Sequence, residues 1–176
     1  GTVIVNHKAT RTEAREAKNT FALIVQWRAP MLARANVPCA FTGGWIVSDD
    51  SGAVTALSME GKRVWQTAFS NQVFEASAVI VKDFALVASQ QGRVFALRTD
   101  TGTMVWARDT EGRYQQAPLS GMISKEPVIW LVSQSDGQLC CLRVRDGFPV
   151  WQGDATNRCD GEPVVWKNRI AYGNCD

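Results

Sequence analysis

Five cysteines, one histidine, seven tryptophans and a few acidic clusters are the side chains with which this 176-residue sequence could do chemistry. His7 is the lone histidine, so a His-based triad or a multi-His metal site has no support. No C-x-x-C occurs, which removes the usual zinc and thioredoxin-like spacings. Cys140 and Cys141 are adjacent inside an apolar alternating run. Successive strand residues face opposite sides and strand geometry disfavours a bond between them, so both are expected as buried, reduced thiols. Cys159 and Cys175 fall in turns and could pair in an oxidising compartment. The acidic clusters Asp49-Asp50 and Asp109-Thr110-Glu111 have the composition of hairpin turns. No Gly-rich loop leads from a strand into a helix, so nucleotide binding has no signature.

These residues need elements to position them, and composition bounds those elements. With 45% apolar and 20% charged residues the chain is globular, with room for one domain spanning 1–176. A net charge of +2 gives no argument for nucleic acid, and no apolar run nears the roughly 20 residues of a spanning helix. Gly1 has no initiator Met before it, which reads as a processed, trimmed or excised chain.

The organising signal is an internal repeat. GAVTALSMEGKRVW (52–65), GRVFALRTDTGTMVW (92–106) and GQLCCLRVRDGFPVW (137–151) align directly. Each opens on Gly and carries a small residue four positions later: Ala56, Ala96 or Cys141. Leu follows, and then a turn Gly (Gly61, Gly102, Gly147) four residues before Trp65, Trp106 or Trp151. Upstream lie apolar runs read as ending in Ser: 44–48, 84–89 and 128–133. Alternating runs bounded by Gly, Asp, Ser and Asn are short antiparallel strands, and each period holds four of them. In the third copy these are 117–122, 128–133, 138–144 and 149–151. A four-stranded unit repeating every 40 to 45 residues is a propeller blade, so the fold class is an all-β propeller.

The run A-L-x-x-x-T-G-x-x-x-W at 96–106 resembles the tryptophan-docking repeat of the pyrroloquinoline-quinone-like β-propellers; the WD-repeat signatures are absent. The resemblance covers most of 20–176. It implies that Trp27, Trp65, Trp106 and Trp151 dock on neighbouring blades. Trp45, Trp130 and Trp166 share columns with aliphatic residues and are expected in the core, as is Cys39. Adjacent cysteines resemble the vicinal disulfide facing the cofactor in some quinoprotein dehydrogenases. Nothing here marks the Ca²⁺ ligands, catalytic carboxylate or stacking residues that such enzymes need. The resemblance therefore implies the fold with no cofactor and no catalytic, cofactor-binding or metal residue.

The fourth copy is divided. Residues 161–168 and 169–176 supply a first and second strand, while 1–5 and 21–27 supply a third and fourth. Counting from Gly137 through Asp176 to Gly1 gives 40 steps, the repeat period. Segment 7–19 is an insertion within this split blade, expected as a short helix or exposed loop. Two closures are open: a four-bladed ring within one chain, or half of an eight-bladed ring completed by a second copy or a second half-propeller. Open ends would expose strand edges.

Relatives of this repeat without a cofactor site resemble the scaffolding subunit of the outer-membrane barrel assembly machinery and the sensor domains of bacterial kinases. The resemblance implies a non-catalytic interaction, scaffold or sensor module, periplasmic or extracellular, binding a protein or small ligand on a loop face. Lys8, Arg11, Arg15 and Lys18 are candidate partner contacts. The rival is a quinoprotein dehydrogenase completed by dimerisation.

Overall fold

A computed structural model describes residues 2–11, 21–166 and 169–173, with side chains described from Val25 onward. Strands β1 (Thr2–Arg11) and β2 (Phe21–Pro30) form an antiparallel pair. Three complete four-stranded meanders follow. The first is β3 (Cys39–Phe41), β4 (Gly44–Ser48), β5 (Ala53–Ser58) and β6 (Arg63–Ala68). The second is β7 (Val79–Val81), β8 (Phe84–Ala88), β9 (Arg93–Arg98) and β10 (Met104–Asp109). The third is β11 (Leu119–Ile123), β12 (Glu126–Val132), β13 (Leu139–Arg143) and β14 (Pro149–Gln152). A last pair, β15 (Val164–Trp166) and β16 (Arg169–Ala171), begins a fourth. The first strands β3, β7, β11 and β15 neighbour one another in turn, so the sheets stack as blades around a common axis.

Packing explains why the third strand of each blade reads as nearly unbroken apolar sequence. All five residues from Ala53 to Leu57 in β5 are buried, because a blade lies against each face of its sheet. The outer strands β6 and β10 are exposed at both ends and half-buried over three central residues, 65–67 and 106–108. The buried clusters accordingly lie between blades. Ile46, Val54 and Ala56 of the first pack with Ala85, Val87, Phe95 and Leu97 of the second. Leu86, Val94 and Ala96 of the second pack with Ile129, Leu131 and Leu142 of the third. Phe74, on the linker between the first two blades, is fully buried, with Phe69 and Phe95 edge-on at 6.0 Å. Its burial contributes about 2–3 kcal/mol.

One alignment shifts. The turn hydrogen bonds place Asp49, rather than Ser48, in the column of Ser89 and Ser133. Asp49 N–H donates to Ala53 O (3.0 Å) and Gly52 N–H to Asp49 O (3.1 Å), as Ser89 and Gly92 do in the second blade. The Asp49 carboxylate accepts the N–H of Ser51 and of Ala53, the role the Ser89 hydroxyl plays toward Arg93 N–H. An Asx turn replaces a serine turn, so the aligned residue type changes while the geometry stays.

The divided blade is two half-blades. Among the described residues β1 pairs only with β2, and β16 only with β15. Among the described residues the two pairs do not join, and what is described is three complete blades flanked by two halves. Segment 7–19 departs from the repeat by lengthening the hairpin: residues 7–11 continue β1, with Ala9, Thr10 and Arg11 opposite Leu23, Ala22 and Phe21. Residues 12–20, where a helix or loop is expected, lie outside the described residues.

Candidate functional site

Three indole rings join successive units. Trp27 Nε1 donates to Met59 O at 2.8 Å, Trp65 to Thr99 O at 2.9 Å, and Trp106 to Val144 O at 2.8 Å. Under the rings lie Gly61, Gly102 and Gly147, with φ of +77°, +71° and +66°. A Cβ at any of them would overlap the indole, and the left-handed backbone disfavours one anyway. The turns that carry these glycines are clamped. Arg98 is bidentate on Asp100, and Arg143 on Asp146 at 2.8 and 2.6 Å. Hydrogen bonding from Arg143 holds the Asp146 carboxyl down at about 2. Trp151 shares the register but is 50% exposed. Trp166, expected in the core, is 63% exposed, because among the described residues no further blade lies against it. Trp45 and Trp130 are half-buried, as is Cys39.

In an antiparallel meander alternate connections gather at opposite ends. The second-to-third-strand turns and the blade-to-blade linkers therefore share one face. There the carbonyls of Arg34, Val73 and Arg113 accept the N–H of Asp50, Gln90 and Gln134 (3.1, 3.0 and 2.8 Å), stapling each linker to the blade that follows. The residues after Val73 and Arg113, Phe74 and Tyr114, are buried, as is Cys159 after Arg158, while Ala35 after Arg34 is half-buried. Tyr114 OH contacts Thr110 Oγ1 at 2.6 Å and Cys140 Sγ at 3.5 Å, and burial pushes its phenol pKa well up.

With the inward residue fixed, the arginine before it points out, so Arg34, Arg113 and Arg158 stand exposed on this face. Arg113 and Arg158 flank a polar cleft of about 330 Å³ completed by Gln115, Gln134 and Ser135. Arg113 reaches Gln90 Oε1 at 3.3 Å, and Arg158 and Gln134 converge on Asp160 Oδ1 at 2.9 and 3.1 Å. The arrangement is suited to hydrogen-bonding a carboxylate or amide, and it contains no nucleophile with an adjacent base. A larger cleft of about 530 Å³ lies on the opposite face, with Phe41, Val64 and Ile80 below Lys82, Asp83 and Asp100.

The sequence-based expectations do not include these three arginines, whose counterpart between the first two blades is Val73. Their signal is the linker itself: Arg113 and Arg158 each stand five residues before a proline, Pro118 and Pro163, and Arg34 four before Pro38. Of the basic residues expected as contacts, Lys8 and Arg11 are in β1, while Arg15 and Lys18 lie outside the described residues.

Cys140 and Cys141 are buried and not bonded to each other. Burial raises both thiol pKa values, that of Cys141 to about 11, so the thiolate fraction at neutral pH falls below that of an ordinary cysteine. Neither is expected to react with a thiol reagent at pH 8 until denaturant is added. Rapid native labelling of both would contradict this placement. Cys159 is buried beside Val132 and Leu139, and Cys175 lies outside the described residues.

A quinone site would need clustered oxygen ligands for Ca²⁺ and a ring-stacking wall. Among the described residues no three His, Cys, Asp or Glu stand close enough to hold a metal ion. The adjacent cysteines are buried in β13, with Cys140 against Tyr114. These residues do not fit the cofactor.

Residues 24–174 match the family described as outer membrane protein assembly factor BamB. The chain belongs to the BamB family. It is 25% identical to the BamB of Moranella endobia over 174 residues, covering 90% of this chain and 43% of that protein. The crystal structure of BamB from Moraxella catarrhalis superposes with a TM-score of 0.66 at 20% identity, over 96% of this chain and 57% of that one. A quinohemoprotein alcohol dehydrogenase from Comamonas testosteroni shares the fold with a TM-score of 0.54 at 19% identity, over 69% of this chain and 21% of that one. The chain thus spans about two fifths of the length of the curated BamB relative. Membership assigns the repeat and the propeller to a family of assembly factors, and no cofactor is assigned. Among the described residues no helix is long and apolar enough to cross a membrane.

Proposed function

We infer that this chain is a non-catalytic β-propeller interaction module, holding a protein partner on the face built by the linkers and the second-to-third-strand turns. The observation that carries this reading is the cleft between Arg113 and Arg158. It sits on rigidly stapled backbone, is lined by hydrogen-bonding side chains, and has no catalytic group. Guanidiniums on a preformed surface recognise acidic or amide-bearing segments at little ordering cost. The family's description, outer membrane protein assembly factor, supports in this reading a partner drawn from that process and a location on the periplasmic side of the outer membrane. Trp27, Trp65, Trp106 and Trp151 act in this reading as docking residues that hold the face in register. Lys8, Arg11, Arg15 and Lys18 are, in this reading, further contacts to a partner. A half-ring offers a continuous face only once the other half is supplied, by a second copy or another half-propeller.

The test is titration of the purified chain against soluble periplasmic domains of the host's barrel-assembly machinery. Arg113→Glu with Arg158→Glu is expected to weaken binding roughly tenfold or more, with thermal stability unchanged, since both side chains are exposed. Equal binding by the charge-reversed variant would move the contact to another surface. Dye reduction on adding pyrroloquinoline quinone and Ca²⁺ would favour the dehydrogenase instead.

A further inference from the structure

We propose that the cleft between the first and second blades, on the face opposite the linkers, is a second docking site, taking an extended protein segment that carries one large apolar side chain beside a carboxylate. It lies away from the Arg113–Arg158 cleft, and neither site depends on the other. Both walls are complete four-stranded sheets, the first running from β3 to β6 and the second from β7 to β10. Phe41 and Ile80 form the floor and rest on the buried cluster between these blades. Val64 completes the floor and stays 56% exposed although the next blade is in place. At about 530 Å³ the cleft has the size of sites that hold a ligand. An aromatic or branched aliphatic side chain seated on such a floor is the kind of anchor that dominates protein interfaces.

The rim decides the charge of the occupant. Arg98 is bidentate on Asp100 at 3.1 and 3.0 Å, and its Nη1 stands 3.9 Å from Asp83, so one guanidinium already serves both carboxylates. Among the described residues Lys82 makes no ion pair, which leaves its ammonium to meet a carboxylate from outside. Lys82 also holds φ +54°, a left-handed backbone uncommon for a lysine. Such a conformation persists where its surroundings fix it. Here Thr99 N–H donates to Asp83 O at 2.9 Å and Trp65 Nε1 to Thr99 O at 2.9 Å, so the walls are set before anything binds. Asp83 and Asp100 would repel an anionic lipid surface. They can accept the backbone N–H groups of an extended segment, which favours a peptide as the occupant.

The probe is the acetylated, amidated peptide Ala-Ala-Phe-Asp-Ala-Ala, titrated into the isotope-labelled chain and followed by NMR. Resonances of Val64, Ile80 and Lys82 should shift, and those of Arg113 and Arg158 should not. Lys82→Glu should weaken the peptide roughly tenfold, and a peptide with Phe-Lys in place of Phe-Asp should bind that variant better than the unmodified chain. Lys82→Gly controls for folding, because it removes the charge and relieves the left-handed backbone. It should weaken binding with stability equal or higher. Shifts elsewhere, or none at millimolar peptide, would overturn the proposal, as would equal binding of the Phe-Asp and Phe-Lys peptides. Binding of phosphatidylglycerol vesicles through Lys82 in place of the peptide would also overturn it. Arg113→Glu with Arg158→Glu should take the peptide unchanged, so failure of this site leaves the scaffold reading standing.

Discussion

Trp106→Ala lowers the stability of the folded chain by roughly 3–4 kcal/mol in a denaturant titration. Three contributions are lost together. The indole packs against the cluster shared by the second and third blades, its Nε1 donates to Val144 O at 2.8 Å, and its ring covers Gly147. Trp106→Phe separates them, because it keeps most of the apolar area and removes only the donor. Its expected cost is about 1–1.5 kcal/mol, with Val144 O left to find water. Trp65→Ala behaves like Trp106→Ala, since Trp65 makes the same bond to Thr99 O over Gly102. A loss below about 1 kcal/mol for Trp106→Ala would mean that the blades are held by the buried aliphatic clusters alone.

The propeller was legible because its determinants are local and repeated. Turn glycines that need positive φ, a small residue under the outer strand and an apolar third strand recur in one order, and each is forced by geometry within or between adjacent blades. The features the sequence concealed are those set by a hydrogen bond or by a missing neighbour. Asp49 and Ser89 do the same work with different oxygens, so alignment by residue type slid onto Ser48. Trp166 and Trp151 sit in apolar columns, yet a column becomes core only when another blade lies against it, and exposure is a tertiary property. The arginines of the loop face are masked in the sequence because the linker after Arg34 reaches its proline one residue sooner than the linkers after Arg113 and Arg158, and because Val73 takes the equivalent place between the first two blades. The strand at Thr2–Arg11 outran its expected end because pairing with apolar Phe21–Leu23 continues the ladder past the point where the repeats turn.

Those two kinds of residue also divide the labour between stability and recognition. The linker residue that points inward fixes the backbone, and the arginine beside it is thereby presented on a surface that needs no ordering before it binds. This separation is why charge reversal at Arg113 and Arg158 can be asked to change binding without changing folding, whereas any change at Tyr114 would confound the two.

Gly147→Ala is expected to cost about 2–5 kcal/mol, a large effect for a single methyl group on a surface turn. Two penalties combine. The left-handed backbone at φ +66° disfavours any Cβ, by roughly 1–2 kcal/mol. The added carbon would also fall 2.6 Å from Trp106 Cε3, so the ring must lift from its seat, at a typical overpacking cost of about 1–3 kcal/mol. A double-mutant cycle separates them. With Trp106→Ala already in place the steric part has no ring to meet, and Gly147→Ala should then cost only the conformational part, about 1–2 kcal/mol. The difference between the two backgrounds measures how tightly the indole is pressed onto the turn of the next blade. Equal costs in both backgrounds would show that φ alone selects glycine here and that the indole exerts no steric demand on it. The same cycle at Gly102 with Trp65 should repeat the result, because φ +71° and the overlap with Trp65 reproduce the geometry one blade earlier.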